Sequence, residues 1–321
     1  MITAEDLQYQ RDALLNGCGV VQISRTRIEA TGSDRASFLH NFCTNDIKKL
    51  QPGNGCEAFI TSVQGKTIGH GFFLANDDRI TIDSVAGQGE FLHAHLDRYL
   101  ITEDAELIDS SSQFQTFLVG GAKLSEVAES IGLPLPDEFC GHVKTAVAAK
   151  QLEIVRTNTT SETAYQVTVR NEDAALVKES LGAAGATECG VEAMTLARVE
   201  HGVPEFGLDI TDANLPQEVD RNDLAISFTK GCYLGQETVA RLDALGHVNR
   251  VLRRVSIQLA TDAPAPKTGD DILVDDNKIG WFGTVATTPA ADVLSALAYV
   301  KVQHADAGTI LQSSSGLLTI R

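Results

Sequence analysis

Strands in this sequence arrive in pairs before a helix intervenes, and that ordering constrains the fold more than any other feature. Gly19-Val20-Val21-Gln22-Ile23 and Arg27-Ile28-Glu29-Ala30 read as two short strands separated only by a turn. Ser33 or Asp34 is placed to cap a helix carrying Phe38, Leu39 and Phe42 on one face. Ala58 to Thr61, Gly71 to Leu74 and the alternating Arg79 to Ile82 read as strands, and a helix follows with Phe91, Leu92, His95, Leu96, Tyr99 and Leu100 at helical spacing. The mixture repeats from Phe114 to about Gly182, with strand character at 114–119 and 165–169 and helical character at 123–131 and 173–181. Strand pairs mixed with helices, without strict βαβ alternation, predict an α+β fold of two α/β lobes, divided near residue 112.

After Arg250 the pattern changes. Val251 to Leu259, Asp271 to Val274, Trp281 to Ala286, Ser295 to Val300 and Leu317 to Ile320 are short apolar runs, most of them separated by turn residues such as Pro264 to Gly269 and Asp275-Asp276-Asn277. Regular short strands of this kind predict a small C-terminal β-barrel or sandwich. The division falls near residues 243 to 250, giving a two-lobed region over 1–245 and a barrel domain over 246–321. A chain of 321 residues with 43% hydrophobic and 21% charged residues has ample apolar material for several cores.

Charge narrows the partners. Lys and Arg number 26 against 43 Asp and Glu, a net charge of −17. That field repels phosphate backbones, so direct nucleic-acid binding is not expected. The six cysteines, Cys18, Cys43, Cys56, Cys140, Cys189 and Cys232, are scattered without a C-x-x-C pair, which suggests neither a disulfide framework nor a zinc ribbon. The acidic start without an apolar core argues against a secretory signal, no run approaches the ~20 apolar residues that span a bilayer, and the expectation is a cytoplasmic protein.

Two tempting patterns lack their context. Gly53-Asn54-Gly55-Cys56-Glu57-Ala58 fits G-x-G-x-x-A, but Pro52 precedes it and strand character follows where a dinucleotide fold needs a helix. His93 and His95 lie two apart on a predicted helix and point to nearly opposite faces, so no metal pair is expected.

The informative stretch runs from Ile226 to Arg241. Ile226 to Phe228 reads as the end of a strand, Lys230-Gly231 as a turn and Gln236 to Leu242 as an opening helix with Glu237 in its favourable first turn. Cys232 thus falls between a lysine and a helix N-terminus, two features that stabilise a thiolate; a buried structural cysteine is the plain alternative. In Arg198 to Asp209, a helix beginning near Val191 ends with Gly202 as its C′ residue and Pro204 just beyond. Glu200 sits in the last turn, at a cost of roughly 0.3–1 kcal/mol against the helix dipole. A carboxylate there is placed to accept paired N–H bonds from an amidine-like ligand edge such as a pterin presents.

Together these segments resemble the glycine-cleavage T-protein superfamily, and within it the YgfZ branch. Lys230-Gly-Cys-Tyr-Leu-Gly-Gln-Glu237 matches that branch's K-G-C-Y-x-G-Q-E motif in full. Phe38-Leu39 to Thr44-Asn45-Asp46, Leu96 to Leu100, the Glu200, Gly202, Pro204 helix end, and Ile279-Gly280 with Leu297-Ala298 add to it. The resemblance covers essentially the whole chain. It implies two α/β lobes and a C-terminal barrel arranged around a central tetrahydrofolate site, with Glu200 recognising the pterin and Lys230, Tyr233 and Arg241 at the site or its rim. It also implies a role in iron–sulfur cluster assembly or repair, including clusters of tRNA-modifying enzymes, with iron–sulfur proteins or assembly factors as partners and Cys232 as the functional thiol. One departure bears on turnover. The aminomethyltransferases of the superfamily carry an Asp pair after an N/Q-x-x-G turn; here Val63-Gln-Gly-Lys-Thr-Ile leads to Gly69 and His70. Loss of general acid–base help is typically worth about 10²–10⁴-fold in rate, so efficient aminomethyl transfer is not expected. The alternative is an active folate-dependent one-carbon transferase or demethylase with His70 as the proton carrier.

Overall fold

A computed structural model describes residues 2–246, 248–260, 263–286 and 293–321. The chain opens with helix α1 (Ala4–Asn16), capped by the Thr3 hydroxyl accepting the Asp6 N–H, followed by strands β1 (Gly19–Ile23) and β2 (Arg25–Thr31). Helix α2 (Arg35–His40), strands β3 (Gly55–Thr61), β4 (Thr67–Ala75) and β5 (Ile80–Val85), helix α3 (Gly89–Asp97) and strand β6 (Glu106–Asp109) come next. Then follow β7 (Phe114–Gly120), α4 (Leu124–Ser130), β8 (His142–Val147), β9 (Lys150–Thr157), β10 (Ala164–Arg170), α5 (Ala174–Ala183), β11 (Thr187–Glu188) and α6 (Val191–His201). The remainder is α7 (Asn222–Ala225), α8 (Gln236–Leu245), β12 (Arg250–Leu259), β13 (Asp271–Val274), β14 (Asn277–Ala286), β15 (Val293–Lys301), β16 (Ile310–Ser313) and β17 (Gly316–Ile320).

Three sheets result. The first has the order β3-β4-β5-β2-β6, the second β11-β1-β7-β10-β9-β8 and the third β13-β14-β15-β12-β17-β16. All pairings are antiparallel except β1 with β11. In the third sheet the end strands β13 and β16 approach each other, so it curls into a nearly closed barrel. The α+β architecture of two lobes and a barrel is the one expected. The lobes interleave, however: β1 leaves the N-terminus to lie between β7 and β11, while β2, one residue later, joins the first sheet. Of the boundary segment at 243–250, residue 247 lies outside the described residues.

Where the three sheets meet, one apolar cluster gathers Leu14 of α1, Val21 of β1, Phe59 of β3, Leu118 of β7, Ala197 and Val199 of α6, and Leu297 and Tyr299 of β15. Helix α6 runs through this junction and buries Ala193, Met194, Leu196, Ala197, Arg198 and Val199. Its aliphatic side chains contribute about 1.5–3 kcal/mol each for full burial of a Val, Leu or Met. As expected, it ends on Gly202 in the left-handed conformation (φ 85°), whose N–H reaches the Arg198 and Val199 carbonyls, and the Val203 N–H also bonds to Arg198. Two expectations are corrected. Ile226 to Phe228 is not a strand: the one-turn helix α7 occupies the preceding residues, and Ser227 donates its N–H to the Thr44 carbonyl. Helix α3 stops at Asp97, before Tyr99 and Leu100, whose N–H groups close short three-residue turns instead.

Candidate functional site

A cleft of about 520 Å³ opens between the two lobes and the turn that follows α6. Ile23, Val85, Met194 and Phe206 give it apolar walls, and Arg25, Gln166 and Glu205 bring polar groups. A narrower pocket of about 60 Å³ shares those three polar residues and Phe206, and reaches inward to Glu57, His70, Arg198 and Arg221. Combined, the cleft has the size and the mostly apolar lining of a small-molecule site.

Its inner end is built on a buried carboxylate. Glu57 of β3 accepts from both Nε and Nη2 of Arg221, and its Oε1 lies 2.6 Å from Nε2 of His70 on the adjacent strand β4. Burial alone would raise the Glu57 pKa, but Arg221 and His70 reverse the effect and hold it at about 2. The imidazole stacks on Phe59 with ring centres 4.9 Å apart, so its plane is fixed from one side by packing and from the edge by the carboxylate. Neighbours on a strand face opposite ways, and here Gly69 points into the first lobe. A Cβ on Gly69 would meet Leu92 at 2.8 Å. Of the two positions where the superfamily's Asp pair was expected, only residue 70 faces the cleft.

Arg198 anchors the other wall. It is 2% exposed and donates through Nη1 to the Asp209 carboxylate and the Val203 carbonyl, both at 2.7 Å, and through Nη2 to Thr284 of the barrel at 2.9 Å. Asp209 also accepts the N–H groups of Glu205 and Thr284. These bonds tie the end of α6, the Val203–Phe206 turn and strand β14 into one unit. Arg198 Nε, 3.6 Å from Glu205 Oε2, and Gln166 Oε1 remain buried without a hydrogen-bond partner among the described residues, and both residues line the cleft. Orphaned buried polar atoms of this kind call for a hydrogen-bonding ligand or water.

Of the residues singled out in the sequence, His70 lines this cleft, whereas Glu200, Lys230, Cys232, Tyr233 and Arg241 do not. Glu200, in the last turn of α6, is bound through Oε2 by Arg11 of α1 at 2.6 Å. Lys230 is buried, and its ammonium donates to the carbonyls of His40, Cys43 and Asn45 at 2.6, 2.6 and 2.8 Å. The ammonium expected beside Cys232 is therefore committed to the loop after α2; burial lowers its pKa. Tyr233 is buried with its ring 4.8 Å beneath that ammonium. Gly235, at φ 82°, touches the loop before β4 so closely that a Cβ would meet the Ser62 carbonyl at 2.3 Å. Thr61 donates to the Leu234 carbonyl at 2.6 Å and Thr238 to that of Gln64 at 3.0 Å, completing the seam. Arg241 is exposed on α8. Cys232 is exposed, whereas the other five cysteines are buried or half-buried, with thiol pKa values raised by that burial.

Glu57, Arg198, Glu205 and Arg221 did not stand out in the sequence. A signal existed for two of them: Glu57 interrupts an apolar strand, and Arg198 lies between Ala197 and Val199 on a helix apolar around it. For Arg221, in a polar loop 164 residues from its partner, the sequence carries none.

Comparison with known proteins follows the same lines. Over 314 residues the chain is 25% identical to an aminomethyltransferase of Symbiobacterium thermophilum, covering 92% of this chain and 82% of that one. Over 318 residues it is 26% identical to a chloroplastic protein of Arabidopsis thaliana carried as a candidate transferase, covering 96% and 72%. In fold it superposes on the crystal structure of the glycine cleavage system aminomethyltransferase T from Bartonella henselae with a TM-score of 0.85 at 18% identity, covering 98% of this chain and 88% of that one. Residues 5–230 match the GCVT N-terminal domain, and the chain belongs to that aminomethyltransferase-related family.

Proposed function

We propose that this protein binds tetrahydrofolate in the cleft between its lobes and serves, as a YgfZ-type factor, in iron–sulfur cluster assembly or repair, including clusters of tRNA-modifying enzymes. The observation that carries this reading is the outward-facing Cys232. In its loop, Lys230 caps three carbonyls, Tyr233 packs beneath the ammonium and Gly235 allows the close approach to Ser62. Three residues of the motif thus hold the loop, and the thiol it presents is free to act on a partner. A reduced folate fits the cleft's apolar walls and the donor of Arg198 and acceptor of Gln166 that make no hydrogen bond. Bound there, it would supply one-carbon chemistry. Glu200 lies just before the cleft-lining turn, and its Oε1 has no hydrogen-bonding partner among the described residues to compete with a pterin. Calorimetric titration with tetrahydrofolate should show binding that weakens by about tenfold or more in Glu200→Ala, the scale of a lost charge-assisted pair. Cys232→Ala should retain folate binding and fold but fail to restore a defective iron–sulfur enzyme. Full rescue by Cys232→Ala removes the thiol from the mechanism, and absence of tetrahydrofolate binding removes the cofactor.

A second reading, a folate-dependent aminomethyl transferase or demethylase, is favoured by one observation: His70 faces the cleft with its ring fixed by Glu57. Imidazole exchanges protons near neutral pH, so on this reading His70 moves the proton that a carboxylate handles elsewhere in the superfamily. Formation of methylenetetrahydrofolate from an aminomethyl donor, abolished by His70→Ala, would establish it in place of the first.

A further inference from the structure

The seam between the two lobes has a second opening. Along β2 the row Arg25, Arg27, Glu29, and along β10 the row Gln166, Thr168, Arg170, pass from the central cleft to a separate cleft of about 180 Å³ at the other end. Ion pairs plug the seam between them: Arg25 and Arg27 both reach Asp83, and Arg27 also bonds Glu153 at 2.8 Å.

This second cleft is positive in a chain of net charge −17. Arg27, Arg79, Lys144 and Arg170 line it against only Glu29 and Glu153. Both carboxylates are already paired, Glu29 with Arg79 and Glu153 through Oε2 with Arg27, while Glu153 Oε1 is buried without a hydrogen-bond partner; Arg79 and Arg27 reach Asp78 and Asp83 as well. Lys144 and Arg170 have no carboxylate partner among the described residues; the Arg170 guanidinium instead lies 5.5 Å from the centre of the Phe114 ring, which Arg27 also faces at 5.2 Å. Arg27 is 5% exposed, yet its Nε and Nη1 have no hydrogen-bond acceptor, and Asn76 Nδ2 and Thr81 Oγ1 in the same lining are likewise buried without partners. Buried donors without partners, Arg27 Nε and Nη1 and Asn76 Nδ2, thus outnumber the one such carboxylate oxygen, Glu153 Oε1, and the unpaired Lys144 and Arg170 leave positive charge at the mouth. Oxygen atoms bearing negative charge are the complement that satisfies both conditions, since charge-assisted bonds from guanidinium to oxyanion are the strong kind.

We infer that this cleft is a binding site for a small polyanion, a phosphate ester or a di- or tricarboxylate, held by Lys144 and Arg170 at its mouth and Arg27 at its floor. Such a ligand bridges strands of both lobes, and it is bound independently of the folate cleft.

The test is titration of the whole protein with pyrophosphate and, separately, with citrate, followed by amide chemical shifts. The first probe reports preference for phosphate oxygens and the second for carboxylates. At least one should bind with a dissociation constant below ~1 mM at ~150 mM salt, where exposed charges are largely screened. Lys144→Ala/Arg170→Ala, both exposed positions, should weaken binding by about tenfold or more. Lys267→Ala/Lys301→Ala, which removes the same charge from the barrel surface, should leave it unchanged. Binding of neither probe, retention in the first double variant, or equal loss in the second overturns the assignment.

Discussion

Replacing Glu57 by glutamine isolates the ion pair at the inner end of the central cleft. The carboxylate sits at about 2 against an ordinary value of 4.5, because Arg221 and His70 outweigh the effect of burial. A carboxylate pKa depressed by folding means that the unfolded chain takes up the proton first. Its contribution to stability is therefore fully present above about pH 4.5 and is lost as pH falls toward 2. At ~1.4 kcal/mol per pKa unit, the difference amounts to about 3 kcal/mol at neutral pH. Glutamine preserves the shape of the side chain but leaves the Arg221 guanidinium, whose side chain is 9% exposed, without its counter-charge. Breaking a buried pair from one side costs about 3–5 kcal/mol, which agrees with the first figure. Urea denaturation at pH 7 should accordingly place Glu57→Gln about 3 kcal/mol below the parent, and near pH 3 the gap should shrink to about 1 kcal/mol as the parent loses its ionised form. An undiminished gap at pH 3, or none at pH 7, would refute the electrostatic account of this site.

Brief alkylation of the native protein at pH 8 should label Cys232 alone, because burial pushes the thiols of Cys18, Cys43 and Cys189 up to about 11 and raises those of Cys56 and Cys140 as well; peptide mass mapping that finds a second site labelled at a comparable rate contradicts this. Lys230→Met removes the donor shared by three carbonyls and should lower stability by about 2–4 kcal/mol, measured by urea denaturation. Gly280→Ala would set a Cβ 1.9 Å from the Tyr299 carbonyl, between β14 and β15, and should destabilise the barrel by about 1–3 kcal/mol or more; a neutral effect would mean that this strand pair is wider than described.

The elements legible in the sequence were those with their own punctuation. The C-terminal strands are bounded by turn residues, and α6 ends on a glycine whose positive φ requires it. The hairpin of β8 and β9 was not legible. Its turn is made by Ala148 and Ala149, at φ 50° and 63°, residues that carry no turn signal although the backbone adopts the conformation usually reserved for Asn and Gly. Helix α1 was also missed, since it buries only Leu7, Ala13 and Leu14 and shows no broad apolar stripe. For the site, local reading reached Cys232 and the end of α6 because neighbouring residues carried the pattern. It could not reach the partners of Lys230, which come from the end of α2 and the loop after it, about 190 residues earlier. The same limit hid the Glu57, His70 and Arg221 assembly: two members sit on adjacent strands, and the third comes from the residue just before α7, 164 residues from Glu57.

The interleaving of the sheets sets a schedule for the chain as it is made. Strands β2 to β6 pair among themselves and can close once residue 109 has left the ribosome. Strand β1 is older, yet Gly19 finds its partners only at Gly120 and Thr187. At a synthesis rate of about 5–20 residues per second, Gly19–Ile23 waits roughly 5–20 s for β7 and longer for β11, an apolar segment with two bare edges. Strand β1 thus becomes native only after every strand of the first sheet has closed, and during that wait it is a segment for a nascent-chain chaperone to hold.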